Sequence, residues 1–136
     1  MSITFEGLEE VINNLEKIGS EENIKAALLK ACMVVERDAK QLAPKGTGEL
    51  RRSIESKVEG LEGIVFTPLE YAPYVEYGTG LFAENGGRND VPWKYKDEKG
   101  EWHSTRGMHP HPYMRPALDN NRERILEILR EGITGD

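Results

Sequence analysis

The sequence predicts an α+β fold in which two long helices pack on a small antiparallel β-sheet, with a long projecting loop or hairpin before the C-terminal helix. Three observations predict it. Apolar residues recur at helical spacing in the first third and again at the end of the chain. A short stretch from Arg52 to Thr67 instead alternates apolar and polar positions around a glycine-bearing turn. Between these patterned regions, residues 81–112 form a polar, glycine-bearing passage too long for an ordinary connection.

Composition sets the outer bounds. A chain of 136 residues fits one domain, spanning 1–136, that removes about two thirds of its unfolded surface from water. Its 18 Lys and Arg against 24 Asp and Glu give a net charge of −6, the wrong sign for general attachment to a phosphate backbone, so nucleic acid is disfavoured as a partner. The start of the chain lacks a basic region followed by an apolar run, and no stretch approaches the roughly 20 apolar residues of a membrane span. A cytoplasmic protein with no membrane partner is expected. A single cysteine, Cys32, cannot form an internal disulfide and reads as a small buried hydrophobe.

Ile3 and Phe5 make a short extended lead that Gly7 interrupts. Leu8, Val11, Ile12, Leu15 and Ile18 then predict an amphipathic first helix closed by Gly19. Ser20 offers the N-cap oxygen of a second helix, with Glu21 and Glu22 in its first turn where the helix dipole favours negative charge. Ile24, Ala27, Leu28, Ala31, Val34, Val35 and Leu42 line its apolar face, and Pro44 ends it.

Residues 44–54 combine glycines, a lysine and a threonine, yet a phosphate loop requires strand, loop and then helix. Here the predicted order is helix, loop, strand. From Arg52 the chain reads as strand, with Ile54 and Val58 apolar, and a second strand runs from Ile64 to Thr67. Gly60 to Gly63 join the two as a hairpin. Arg51 and Arg52 then read as a solvated strand edge.

Tyr71 to Gly80 is the densest stretch. Tyr71, Tyr74 and Tyr77 recur at spacing three, and Pro73 suits the first turn of a helix, where no hydrogen bond is lost. Tyr71, Tyr74 and Val75 are expected in the core. Glu76 has no second acid or nucleophile at a pairing distance in sequence. It therefore reads as structural, accepting hydrogen bonds from backbone amides, tyrosines or an arginine such as Arg51 or Arg52. Gly78, Thr79 and Gly80 turn the chain into the loop.

Within residues 81–112, Trp93 and Tyr95 alternate before a turn at 97–100, and Trp102 follows it, predicting a hairpin from Val91 to Ser104. Both tryptophans are either anchors for protein contacts or side chains folded back on their own domain. His103, His109 and His111 lack a recognised metal-ligand spacing, so no metal and no cofactor is predicted. A last helix covers Tyr113 to Glu131, with Pro116 in its first turn and Gly132 at its end.

Taken in order, Thr-Gly-Glu-Leu-Arg-Arg-Ser-Ile, the tyrosine-rich stretch ending Gly-Thr-Gly, the tryptophan loop, and Pro-Tyr-Met-Arg-Pro-Ala-Leu resemble the tail-component family of long-tailed bacteriophages and prophages. The resemblance runs from about Leu8 to Leu129. It implies a noncatalytic virion protein of the neck and tail-completion region, assembled in the bacterial host cytoplasm as a ring-like homo-oligomer that contacts other neck or tail proteins. The matching positions are Thr47, Gly48, Leu50, Arg51 and Ser53, then Tyr71, Ala72, Glu76, Gly78, Thr79 and Gly80, then Pro112, Tyr113, Pro116, Ala117 and Leu118. With Tyr74, Trp93 and Trp102 these are the expected fold-determining or interface residues. Two readings from other classes stand beside it. One is a small metal-dependent hydrolase using His103, His109 and His111, and the other a DNA-contacting neck component using Arg51, Arg52, Arg88 and Arg106.

Overall fold

Ser20 opens the longest helix. In the computed structural model, which describes residues 1–4, 20–46, 48–84, 91–96 and 99–134, its hydroxyl accepts the Asn23 amide at 3.2 Å and so satisfies one of the orphan donors of a helix start. Helix α1, Glu21–Leu42, follows for 22 residues. Pro44 then forces Ala43 into extended geometry. The face that α1 buries comprises Ile24, Ala27, Leu28, Ala31, Cys32, Val35 and Ala39. Two expected core positions differ. Val34 stands about 100° around the helix from Val35 and is half-buried, while Leu42, the last residue of α1, is 38% exposed. The expected first helix over residues 8–18, with Gly7 before it and Gly19 after it, lies outside the described residues, as do Phe5, Thr47, Arg88, residues 97 and 98 of the hairpin turn, and residues 135 and 136.

The chain divides into two compact units, Met1–Leu69 with Tyr113–Asp136, and Glu70–Pro112. In the first, strands β1 (Ser2–Thr4), β2 (Glu55–Glu59) and β3 (Glu62–Phe66) form an antiparallel sheet in the order β1-β3-β2. The register pairs Ile3 with Val65 and Ser56 with Val65. Strand alternation therefore places Ile3, Ser56, Val58 and Val65 on one face, and Ser2, Glu55, Lys57, Glu59, Glu62, Ile64 and Phe66 on the other. Helix α1 covers the first face, where Val65 is fully buried and Ser56 Oγ donates to Glu36 Oε1 at 3.0 Å.

The motif between α1 and the sheet corrects the expected strand. Glu49–Ser53 is a short helix, α2, so Arg51 and Arg52 sit on a helical turn rather than on a strand edge. The Arg52 amide donates to Gly48 O at 3.0 Å, and Leu50, 5% exposed, pins the turn to the core. Ser53 Oγ closes it by donating to Leu50 O at 2.6 Å and lies 2.7 Å from Thr67 Oγ1. The burial of Leu50 and the Ser53–Thr67 bond outweigh the local alternation that favoured a strand.

The expected single C-terminal helix is two, α4 (Met114–Asp119) and α5 (Arg122–Thr134). Asn121 breaks it. Its side-chain Nδ2 donates to Asp38 Oδ2 on α1 at 2.7 Å and to Ala117 O at 2.7 Å, while its backbone carbonyl accepts the Ile125 amide at 2.8 Å. Asparagine readily gives up helical geometry for such bonds. Gly132, expected to end the helix, lies inside α5. A Cβ there would stand 2.6 Å from Ala27 Cβ, so the missing side chain is what lets α5 approach α1. Among the described residues no helix is long and apolar enough to cross a membrane.

Two predictions follow from this packing. Gly132→Ala gains about 1 kcal/mol of helix propensity, yet overpacking against Ala27 costs about 1–3 kcal/mol. Thermal melting should show net destabilisation, and a raised Tm would contradict the close contact. Burial pushes the Cys32 thiol up from 9.0 to about 12, against the lowering effect of a hydrogen bond with the Ile64 backbone. The folded protein therefore holds this proton more tightly than the unfolded chain, and the resulting stability is complete below pH 9.0 and declines as pH rises toward about 12. Denaturant titrations from about pH 8 to pH 11 should show wild type losing stability faster than Cys32→Ala, and parallel curves would contradict the assignment.

Candidate functional site

The second unit, Glu70–Pro112, is built around one backbone crossing. Helix α3, Ala72–Tyr77, carries Pro73 in its first turn and stops where the Gly78 amide donates to Tyr74 O at 2.9 Å. The chain continues through Thr79 into a 3-10 turn, Gly80–Phe82. Strands β4 (Trp93–Lys96) and β5 (Trp102–Thr105) form an antiparallel hairpin. The segment after β5 returns alongside Thr79–Leu81. Thr79 N donates to Met108 O at 2.9 Å, Met108 N to Thr79 O at 3.3 Å, and Leu81 N to Arg106 O at 2.9 Å.

Glycine makes the crossing possible. Gly80 has φ +59° and Gly107 φ +117°, both in the region that a Cβ disfavours. A Cβ on Gly80 would lie 2.5 Å from Arg106 O and 2.6 Å from the Trp93 ring, and one on Gly107 would collide with Thr79 O. Gly80 was legible as part of the Gly-Thr-Gly turn. Gly107 was not singled out in the sequence, since its partner lies 28 positions away at Thr79.

Helix α3 faces inward differently from expectation. Ala72, Val75 and Glu76 are buried, whereas Tyr71 is 39% and Tyr74 58% exposed. The tyrosines at spacing three do form a ridge, but the 72/75/76 ridge packs inward and turns them outward. Glu76 is fully buried, and it makes polar contacts, as a desolvated carboxylate must. In the first unit, Arg51 Nε is buried with no hydrogen-bond partner among the described residues.

The outward tyrosines define the site. Tyr71, Tyr74, Gly78, Trp93 and Met108 are among the residues lining a groove of about 1090 Å³, and among the described residues no charged side chain lines it. The hairpin splits the two tryptophans. Trp93 is half-buried at the wall of this groove, and Trp102 is 66% exposed with Lys96 Nζ 5.6 Å from its ring centroid. One therefore folds back on its own unit and the other stands free for contact.

The histidines take other positions. His109 stacks on Phe82 with ring centroids 3.8 Å apart, the His111 amide donates to Val75 O at 2.8 Å, and His103 lies on β5. Among the described residues no three His, Cys, Asp or Glu side chains are grouped to hold a metal ion. Of the remaining expected interface positions, Tyr113 is fully buried at the start of α4, Pro116 is half-buried within α4, and Pro112 is exposed.

Residues 9–78 match the model of a family described as "Bacteriophage HK97-gp10, putative tail-component". The matched stretch is more than half of the chain. It contains the Gly48–Ser53 motif and helix α3, and it ends before Thr79, the hairpin and the Pro112–Leu118 motif. No curated protein and no solved structure matches the chain.

The crossing can be tested directly. Gly80→Ala forces a left-handed residue to carry a Cβ, at about 1–2 kcal/mol, and adds the overlap with Arg106 O and Trp93. Hydrogen exchange at the Thr79, Leu81 and Met108 amides should accelerate while amides of α1 keep their protection. Unchanged exchange at all three would show that the glycine is dispensable.

Proposed function

The chain belongs to the HK97-gp10-like family of bacteriophage tail components, and on that premise we propose a noncatalytic structural role at the neck and tail-completion region, in head-tail joining or tail assembly. The protein acts in this reading by forming a ring-like homo-oligomer and by contacting other neck or tail proteins, within the virion. The observation that carries the reading is the surface of the second unit, where Tyr71, Tyr74, Leu81, Trp102 and Met108 are all exposed. Large side chains of this kind lose little entropy on docking and dominate protein interfaces, and exposed apolar clusters mark such interfaces. The passage 81–112 is the interaction element in this proposal, and the motif residues at 71–80 lead into it.

Light scattering on the purified protein tests the reading. A defined oligomer is expected, either alone or once neck or tail proteins are added. A protein that stays monomeric at high concentration, even beside those partners, would refute it.

A further inference from the structure

Lys94, Lys96, Trp102 and Ser104 share one face of the β4–β5 hairpin, because Lys94 pairs with Ser104 and Lys96 with Trp102 and directly opposed residues project to the same side. The other face carries Trp93 and Thr105, which line the groove. Among the described residues Trp102 is the most exposed of the large apolar side chains, at 66%. Among the described residues no carboxylate pairs with Lys94 or Lys96. A two-stranded hairpin is marginal in water and gains from a surface to lie against. The surface it fits is therefore an apolar hollow with an acidic rim.

The outward face of the three-stranded sheet has that chemistry. Ile64, Phe66 and Met1 line a hollow of about 330 Å³ together with Ser2, Thr67 and Lys57, whose Nζ stands 5.0 Å from the Phe66 ring centroid. Glu55, Glu59 and Glu62 project on the same face and are exposed. Lys57, beside them, is neutralised by Glu59 at 2.8 Å, which leaves Glu55 and Glu62 with no cationic partner among the described residues. The knob sets two lysines beside an indole, and the hollow has an apolar floor of Ile64 and Phe66 with Lys57 in its wall and Glu55 and Glu62 on the same sheet face.

We propose that Trp102 of one copy seats in the Ile64–Phe66 hollow of a second copy, with Lys94 and Lys96 reaching Glu55 and Glu62 at the rim. This rests on the reading of the protein as a self-assembling structural component. Each copy carries both surfaces, so the contact joins unlike patches and repeats from copy to copy, which gives a ring where the rotation per copy closes and a filament where it does not. Cation and carboxylate set the orientation and the salt dependence, and the indole provides the anchor.

Sedimentation velocity on the full chain tests it with three variants, each first checked for unchanged far-UV circular dichroism. Trp102→Ala, the pair Lys94→Glu with Lys96→Glu, and the pair Glu55→Lys with Glu62→Lys should each weaken self-association by about tenfold or more. An equimolar mixture of the two charge-reversed proteins should associate again, because each hairpin then meets a sheet of opposite charge. Rising salt should weaken the wild-type assembly. If the hairpin variants dissociate while the sheet variant assembles normally, the hairpin binds some other surface and the proposal is overturned. Normal assembly by all three overturns it as well, while leaving self-assembly intact. A wild-type protein that never associates instead refutes the self-assembly on which the proposal rests.

Discussion

Helix α1 presents one face on which Ile24, Leu28, Ala31, Cys32, Val35 and Ala39 are all completely removed from water. Burial of a Leu, Ile or Val side chain is worth about 1.5–3 kcal/mol, so this single face supplies much of the driving force of the first unit. Among the described elements of that unit, α2, β2, β3, α4 and α5 all pack against α1. The sheet brings Val65 and Ser56 to it, Asn121 ties the break between α4 and α5 to Asp38, and Gly132 clears the space in which α5 meets Ala27. The small residues Ala27, Ala31 and Ala39 matter as much as the large ones, because close approach of neighbouring elements is what excludes water.

The second unit has a different economy. Among its described residues there is no long helix, and its order comes from backbone hydrogen bonds across the Thr79–Met108 crossing and from the Trp93 ring packed over Gly80. Backbone groups used in this way leave side chains free. Tyr71 and Tyr74 are consequently turned outward on a rigid turn, and the hairpin presents Trp102 and its two lysines on the face opposite the groove. A surface rich in aromatic residues is thus held in place without a large core beneath it, which suits a component whose contacts are made with other proteins.

The family membership and the surface point the same way. Several residues within the stretch that matches the tail-component family hold the fold together. Leu50 anchors α2, Ser53 bonds to Leu50 and lies beside Thr67, and Glu76 is buried at the centre of α3's inner face. Glu55, Glu59 and Glu62 share the outward face of β2 and β3 with Lys57, and Lys94 and Lys96 share one face of the β4–β5 hairpin.

By itself, the sequence determined the features whose physics is local. Ser20 and Pro44 bounded α1, the alternation around Gly60 predicted the β2–β3 hairpin, Pro73 marked the start of α3, and the spacing of Trp93 and Trp102 predicted the second hairpin. The ordered motifs also carried the family. Only the tertiary structure decided what depends on partners distant in the chain. Arg52 belongs to a helix because Leu50 is buried and Ser53 meets Thr67. The last helix breaks because Asn121 finds Asp38, 83 positions away. Gly132 sits within α5 because Ala27 needs its space, and Tyr71 and Tyr74 face outward because a ridge at spacing three has two possible sides. Periodicity states that a face exists, and only the packed neighbours decide which face turns inward.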